Sequence, residues 1–184
     1  MKLNLKEINL TALFTAVTAI LAQISVPVPI TPVPVTLSIF GVTLSSLILG
    51  RKCGAISQIV YILLGVAGMP VFAGFRGGLS VLLSPTGGYI ISYPIMALVI
   101  GTFLNQGTSP SFFRMAVASM TGLIICYVFG TTWLAIVANL GPAEAIAAGV
   151  LPFILPDVVK VMISVVLGRQ IKNALSKAGL VSSQ

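Results

Sequence analysis

"LSIFGVTLSSLILGRKCGAISQIVYILLGV", residues 37–66, holds two apolar runs divided by Gly50, Arg51 and Lys52. The first covers 37–49 and the second about 55–66. At roughly 1.5 Å per residue, the first rises only about 20 Å, short of the roughly 30 Å of a bilayer's hydrocarbon. Two such helices either extend through their flanks or end part-way, leaving irregular backbone at depth. The reading of this stretch therefore sets the number of membrane crossings.

The rest of the chain fits lipid. Of 184 residues, 57% are hydrophobic and 7% charged, with a mean hydropathy of +1.12, far from the range of water-soluble domains. Apolar helices are expected at about 7–25, 89–104, 113–140 and 152–175, which with the two short runs makes six. The expected fold is an all-α integral membrane protein: one domain over 1–184, with six transmembrane helices and irregular Gly/Pro-rich outer loops. The run 10–26 follows Lys2 and Lys6 in the manner of a signal peptide. It lacks a clear small-residue cleavage site and leads into more membrane sequence, so it reads as the first helix. After it, "VPVPITPVPVT" (26–36) carries four prolines in eleven residues, which forbid helix continuation. No domain-scale repeat is visible, which argues against a transporter built of two inverted halves.

The basic residues orient the chain. With the N-terminus inside, eight of the ten Lys and Arg residues (Lys2, Lys6, Arg51, Lys52, Arg114, Arg169, Lys172 and Lys177) fall at inner ends. Arg76 falls in an outer loop and Lys160 within the sixth helix. Both termini are therefore expected in the cytoplasm by the positive-inside rule.

Enzyme chemistry has little to work with. The chain has no histidine and three acids, Glu7, Glu144 and Asp157, and it lacks a paired-carboxylate, Ser/His/Asp or HExxH set. Neither a metal site nor a cofactor is expected. No GxxxxGK[ST] loop is present, so the chain carries no Walker-type ATPase of its own. Cys53 and Cys126 have no CxxC spacing and read as small hydrophobes.

The strongest candidate for function is "LPFILPDVVKVMI" (151–163), which places Asp157 and Lys160 three residues apart on one helix face. Ionisable groups at membrane depth cost at least roughly 2.5 to 3.5 kcal/mol each and usually face a cavity. A purely structural ion pair is the alternative. The stretch "GMPVFAGFRGGLSVLLSPTGGYIISY" (68–93) lies on the same outer side. Its glycines, including Gly77, Gly78, Gly87 and Gly88, permit close backbone approach, and Pro70 and Pro85 fix the chain. Ser84 is a candidate helix cap, with Thr86 to Gly88 offering free amides to a polar ligand. Arg76 has two placements open to it, an anion or water. Tyr93 and Tyr127, with Tyr89 and Trp133, are candidate cavity walls or interfacial anchors. On the first helix Ala12 and Ala16 form a small-xxx-small pair, continued by Ala19 and Ala22, that lets another helix approach.

Three segments, "PVPITPVPVTL" (27–37), "YILLGVAGMPVFAGFRGGLSVLLSPTGGY" (61–89) and "LPFILPDVVK" (151–160), in this order and spacing, closely resemble the BioY family. These are the biotin-binding S-components of energy-coupling factor (ECF) transporters. The resemblance implies a six-helix subunit of a prokaryotic cell membrane that takes biotin from outside. It works with a transmembrane coupling protein and two ABC ATPases, which suits the missing Walker motif, and Ala12 and Ala16 stand where the family docks its coupling protein. It also implies a substrate site from Asp157, Lys160, Arg76, Gly77, Gly78, Ser84, Thr86, Gly87, Gly88, Tyr93 and Tyr127. Asp157 would accept from the ureido N–H groups, while Lys160 or Arg76 would meet a carbonyl or the carboxylate tail. Two positions depart from the family's pattern, which often has glutamine where Ser38 stands and glycine where Ser84 stands. Rival expectations are another vitamin, thiamine or riboflavin, or a structural subunit without a ligand.

Overall fold

The computed structural model describes residues 4–104 and 110–178; Lys2, one of the orienting charges, lies outside them. Helix α1 (Leu5–Gln23) starts at a capping box: Asn4 Oδ1 accepts from the Glu7 amide at 2.9 Å, and Glu7 Oε2 accepts from the Asn4 amide at 2.9 Å. The proline-rich segment then forms a small antiparallel hairpin, β1 (Ser25–Val26) on β2 (Val35–Thr36), with Ser25 opposite Thr36 and Val26 opposite Val35. Two-residue strands are what the flanking prolines leave room for, because each removes a ladder donor.

Helix α2 (Ser38–Val66) contains the stretch that decides the fold. Gly50 sits at φ 76°, ψ −170°, a left-sided conformation open to glycine and disfavoured for residues with a Cβ. The chain folds back there. In a straight helix Ser45 and Gln58 would stand about 20 Å apart, yet Gln58 Nε2 donates to Ser45 Oγ at 3.0 Å, and a Cβ on Gly54 would lie 3.0 Å from the Ser46 Cα. Thus 38–49 and 51–66 are two antiparallel limbs, and Gly50 with Arg51 and Lys52 forms the turn. The second apolar run extends back through its flank to 51, whereas the first keeps the bounds 38–49, a rise of about 18 Å.

The remaining helices are α3 (Leu79–Leu82), α4 (Gly87–Leu104), α5 (Phe112–Ala138), α6 (Pro142–Gly149) and α7 (Leu151–Lys177). Among the described residues, five helices are long and apolar enough to cross a membrane, α1, α2, α4, α5 and α7, with the length of α2 counted across its fold-back at Gly50. Helix α4 is apolar all round and is the most enclosed of them, lying between α2 and α5. Contact with α5 is close because Gly88 has no side chain; a Cβ there would collide with Trp133 and the Phe129 carbonyl. The core is continuous through Leu47, Tyr61, Met96, Ile100, Met115, Leu134 and Val161. Large apolar side chains such as Leu13, Ile20, Ile124, Ile136 and Leu155 stay on the outside, the expected surface for lipid contact.

Helix α1 divides by face. Thr11, Phe14, Thr15, Thr18 and Ala22 turn inward, whereas Ala12, Leu13, Ala16 and Ile20 are exposed. Its inner face meets α2 through both apolar and polar contacts: Phe14 packs on Leu44 and Ile48, Thr15 Oγ1 lies 3.0 Å from the Ser57 carbonyl, and Gln58 Nε2 reaches the Thr18 hydroxyl at 3.3 Å.

Candidate functional site

The charged pair comes first, because it is the costliest feature of the interior. Helix α7 places Asp157 and Lys160 one turn apart, and Lys160 Nζ donates to Asp157 Oδ1 at 2.7 Å. Both residues are buried, at 4% and 8% exposure. Burial is sustained by further pairing: Tyr127 Oη, from α5, donates to Asp157 Oδ2 at 2.9 Å, and Lys160 Nζ donates to the Thr36 carbonyl at 2.7 Å. The pair thereby ties α7 to α5 and to the proline-rich hairpin.

Asp157 borders a cleft with two adjoining lobes. The lower lobe is walled by Asp157, Tyr127, Phe153 and Ile39; the upper by Tyr61, Phe72, Arg76, Thr86 and Ser38. Val33, Pro34, Thr36, Tyr89 and Tyr93 line both lobes, so the two form one elongated site with an aromatic waist. Each lobe has a cavity volume of about 40 Å³, enough for about three waters. The aromatic walls are fixed by their neighbours. Tyr61 stacks on Tyr93 at 6.4 Å and meets Phe72 edge-on at 5.5 Å, and Tyr89 Oη donates to the Gly149 carbonyl at 2.7 Å.

Segment 68–78 covers the upper lobe. Its ends are anchored on α2, where the Gly65 carbonyl accepts from the amides of Gly68 at 3.1 Å and Gly78 at 2.7 Å. The turn 72–76 closes on itself: the Phe72 amide donates to the Arg76 carbonyl at 2.9 Å, and the Arg76 amide returns a bond to Phe72 at 3.2 Å. Phe72 is fully buried beneath it, its ring against Gly65.

The residues singled out in the sequence separate into groups. Asp157, Tyr127, Tyr93, Thr86 and Arg76 border the cleft, and Lys160 stands behind Asp157, held to Thr36. Arg76 Nε donates to the Ala73 carbonyl at 3.2 Å. Ser84, Gly77, Gly78, Gly87 and Gly88 do not line these two lobes. Gly77 packs on the Gly68 and Met69 backbone, Gly78 enters α3, Gly87 abuts the Leu82 carbonyl, and Gly88 meets Trp133. The Ser84 hydroxyl, the candidate helix cap, bonds to the Val81 carbonyl at 2.7 Å and to Thr86 Oγ1 at 2.9 Å, and the Ser84 carbonyl accepts from Trp133 Nε1 at 3.0 Å. Ala12 and Ala16 are both exposed on α1.

Four contributors do not stand out in the sequence. Thr36 acts through its carbonyl, which leaves no mark in a sequence. Tyr61 and Phe72 looked like ordinary apolar residues of their segments. Gln23 had a usable signal, an amide at the end of an apolar run.

The chain matches the family model described as "BioY family" over residues 1–177. A probable biotin transporter BioY of Pyrococcus horikoshii is 44% identical over 168 residues, covering 91% of this chain and 97% of that protein. The biotin transporter BioY of Thermotoga maritima is 35% identical over 169 residues, covering 92% and 97%. Among solved structures, the S-component for biotin from an ECF-type ABC transporter superposes with a TM-score of 0.88 at 29% identity, covering 94% of this chain and 95% of that one. By sequence over nearly its full length, and with a fold to match, the chain belongs to the BioY family.

Proposed function

We infer that this chain captures biotin at the outer face of a prokaryotic cell membrane, as the substrate-binding S-component of an ECF transporter. The carrying observation is that a family of biotin transporters aligns along the whole chain and that its fold coincides with a biotin S-component. The cleft supplies matching chemistry. Biotin has a ureido head with two N–H donors, an apolar thioether ring and a carboxylate tail. Asp157 offers lone pairs at one end of the cleft, Tyr89, Tyr93, Val33 and Pro34 offer the waist, and Arg76 stands at the other end. The head therefore goes to Asp157 and the tail to Arg76. Lys160 is the counter-ion of Asp157, with one N–H left for the ureido carbonyl. The glycines at 77, 78, 87 and 88, with Ser84, support the cover and the α4–α5 contact that shape the site.

Counted with the fold-back at Gly50, the chain makes six crossings in one domain. Arg51, Lys52, Arg114, Arg169, Lys172 and Lys177 mark the cytoplasmic side, and the termini lie there too. The exposed Ala12 and Ala16 face of α1 receives the coupling subunit, and two ABC ATPases supply the energy.

Isothermal titration of the purified protein tests the reading. Biotin should bind tightly, with thiamine and riboflavin silent, and Asp157→Asn should weaken binding by about 1.5 to 3 kcal/mol, the scale of a hydrogen bond to a charge. Failure of the folded wild-type protein to bind biotin would overturn it.

A further inference from the structure

The cover over the upper lobe is tied to the first helix by a single side chain. Gln23, the last residue of α1, donates from Nε2 to the Val71 carbonyl at 3.0 Å, with the Ala19 carbonyl at 3.1 Å and the Pro70 carbonyl at 3.4 Å nearby. Its Oε1 accepts from the Phe75 amide at 2.8 Å. The two ends of the amide are fixed by chemistry: a backbone N–H needs the oxygen and a carbonyl needs the nitrogen, so the orientation is self-consistent. The segment it grips is the closed turn 72–76, whose Phe72, Ala73 and Arg76 border the cleft.

The turn is poised. Phe75 holds φ 56°, in the left-handed region, and its side chain is 72% exposed. A bulky residue is disfavoured there, and with the ring largely outside the core, its backbone is held by the turn's own hydrogen bonds and by the one its amide makes to Gln23 Oε1. The ends of the segment are anchored separately, by the Gly68 and Gly78 amides on the Gly65 carbonyl. Gln23 bonds to the part of the cover between those ends.

We propose that Gln23 is a positioning residue that latches the 71–76 cover to α1 and so sets how fast ligand leaves the cleft. The proposal rests on the biotin reading for its ligand. Because the latch belongs to α1, a tilt of that helix relative to α2 breaks it from a distance, through the same element that exposes Ala12 and Ala16.

The test uses the full chain in detergent, with two readouts. Gln23→Leu removes both good hydrogen bonds, each worth roughly fivefold in an equilibrium, so biotin release measured by stopped flow should accelerate roughly thirtyfold. Hydrogen exchange at the Phe75 amide should rise by about tenfold or more, with α2 and α4 unchanged. Gln23→Glu keeps an acceptor for Phe75 but sets a carboxylate oxygen against the Ala19, Pro70 and Val71 carbonyls, so it too should speed release, by roughly fivefold or more, and raise exchange at Phe75. It decides by the same readouts if the leucine variant does not fold. Release within twofold of wild type, or exchange raised throughout the protein in place of 71–76, would overturn the latch. If wild-type protein binds no biotin, the biotin reading fails, while exchange at Phe75 still judges the latch.

Discussion

Replacing Lys160 by Met removes a buried cation and leaves two groups behind. The Asp157 carboxylate keeps only the Tyr127 hydroxyl, at 2.9 Å, and the Thr36 carbonyl loses the donor that stood at 2.7 Å. Breaking a buried pair from one side costs about 3 to 5 kcal/mol, mainly through the charge left alone. Asp157 borders the cleft and can be reached by water there, which places the loss near 3 kcal/mol. Asp157→Asn leaves the ammonium with the Thr36 carbonyl and one amide oxygen, a loss nearer 2 kcal/mol. The double variant has no buried charge and retains only the orphaned carbonyl, so its loss should stay near 2 kcal/mol, giving a coupling of about 3 kcal/mol between the sites. Equilibrium unfolding in mixed detergent micelles, read by tryptophan fluorescence, measures all three. Losses that simply add would mean the two charges do not compensate each other, and the account of this site would fail.

Tyr127→Phe deletes the second donor to Asp157 and should cost about 1.5 to 3 kcal/mol in the same unfolding assay. Gly65→Ala forces a methyl into the Phe72 ring; about 1 to 3 kcal/mol of overpacking should follow, and biotin titration should show weakened binding because Phe72 borders the upper lobe. Ala12→Trp lies on the exposed face of α1. It should leave biotin titration and stability unchanged while abolishing co-purification with the coupling subunit.

Much of the fold was legible because membrane helices advertise themselves by length and hydropathy. Expected bounds such as 89–104 and 152–175 fall within about two residues of α4 and α7. The fold-back at Gly50 was legible for a more specific reason: a glycine followed by two cations interrupts apolar sequence where neither suits a bilayer centre. What escaped notice were the short elements. The β1–β2 hairpin, α3 and α6 are each eight residues or shorter, and elements so short are decided by tertiary contacts, such as the Tyr89 hydroxyl that donates to the Gly149 carbonyl at the end of α6.

The site was legible only where burial carries a large energetic penalty. Asp157 and Lys160 stood out because lone charges at membrane depth are expensive, and the geometry explains how they persist: each finds an uncharged partner from a distant element. The glycines could not be sorted the same way. A glycine that lets Trp133 approach, as Gly88 does, and one that lets a ligand approach are the same letter, and only the packing of α4 on α5 separates them. Carbonyl groups are still less visible. Thr36 is 124 positions from Lys160, yet its carbonyl holds the ammonium that pairs with Asp157. The hairpin carrying that carbonyl also supplies Val33 and Pro34 to both lobes. One lysine therefore does two things at once: it balances a carboxylate, and it seats the hairpin that forms one wall of the cleft. That is why its loss should disturb the shape of the site as well as its charge.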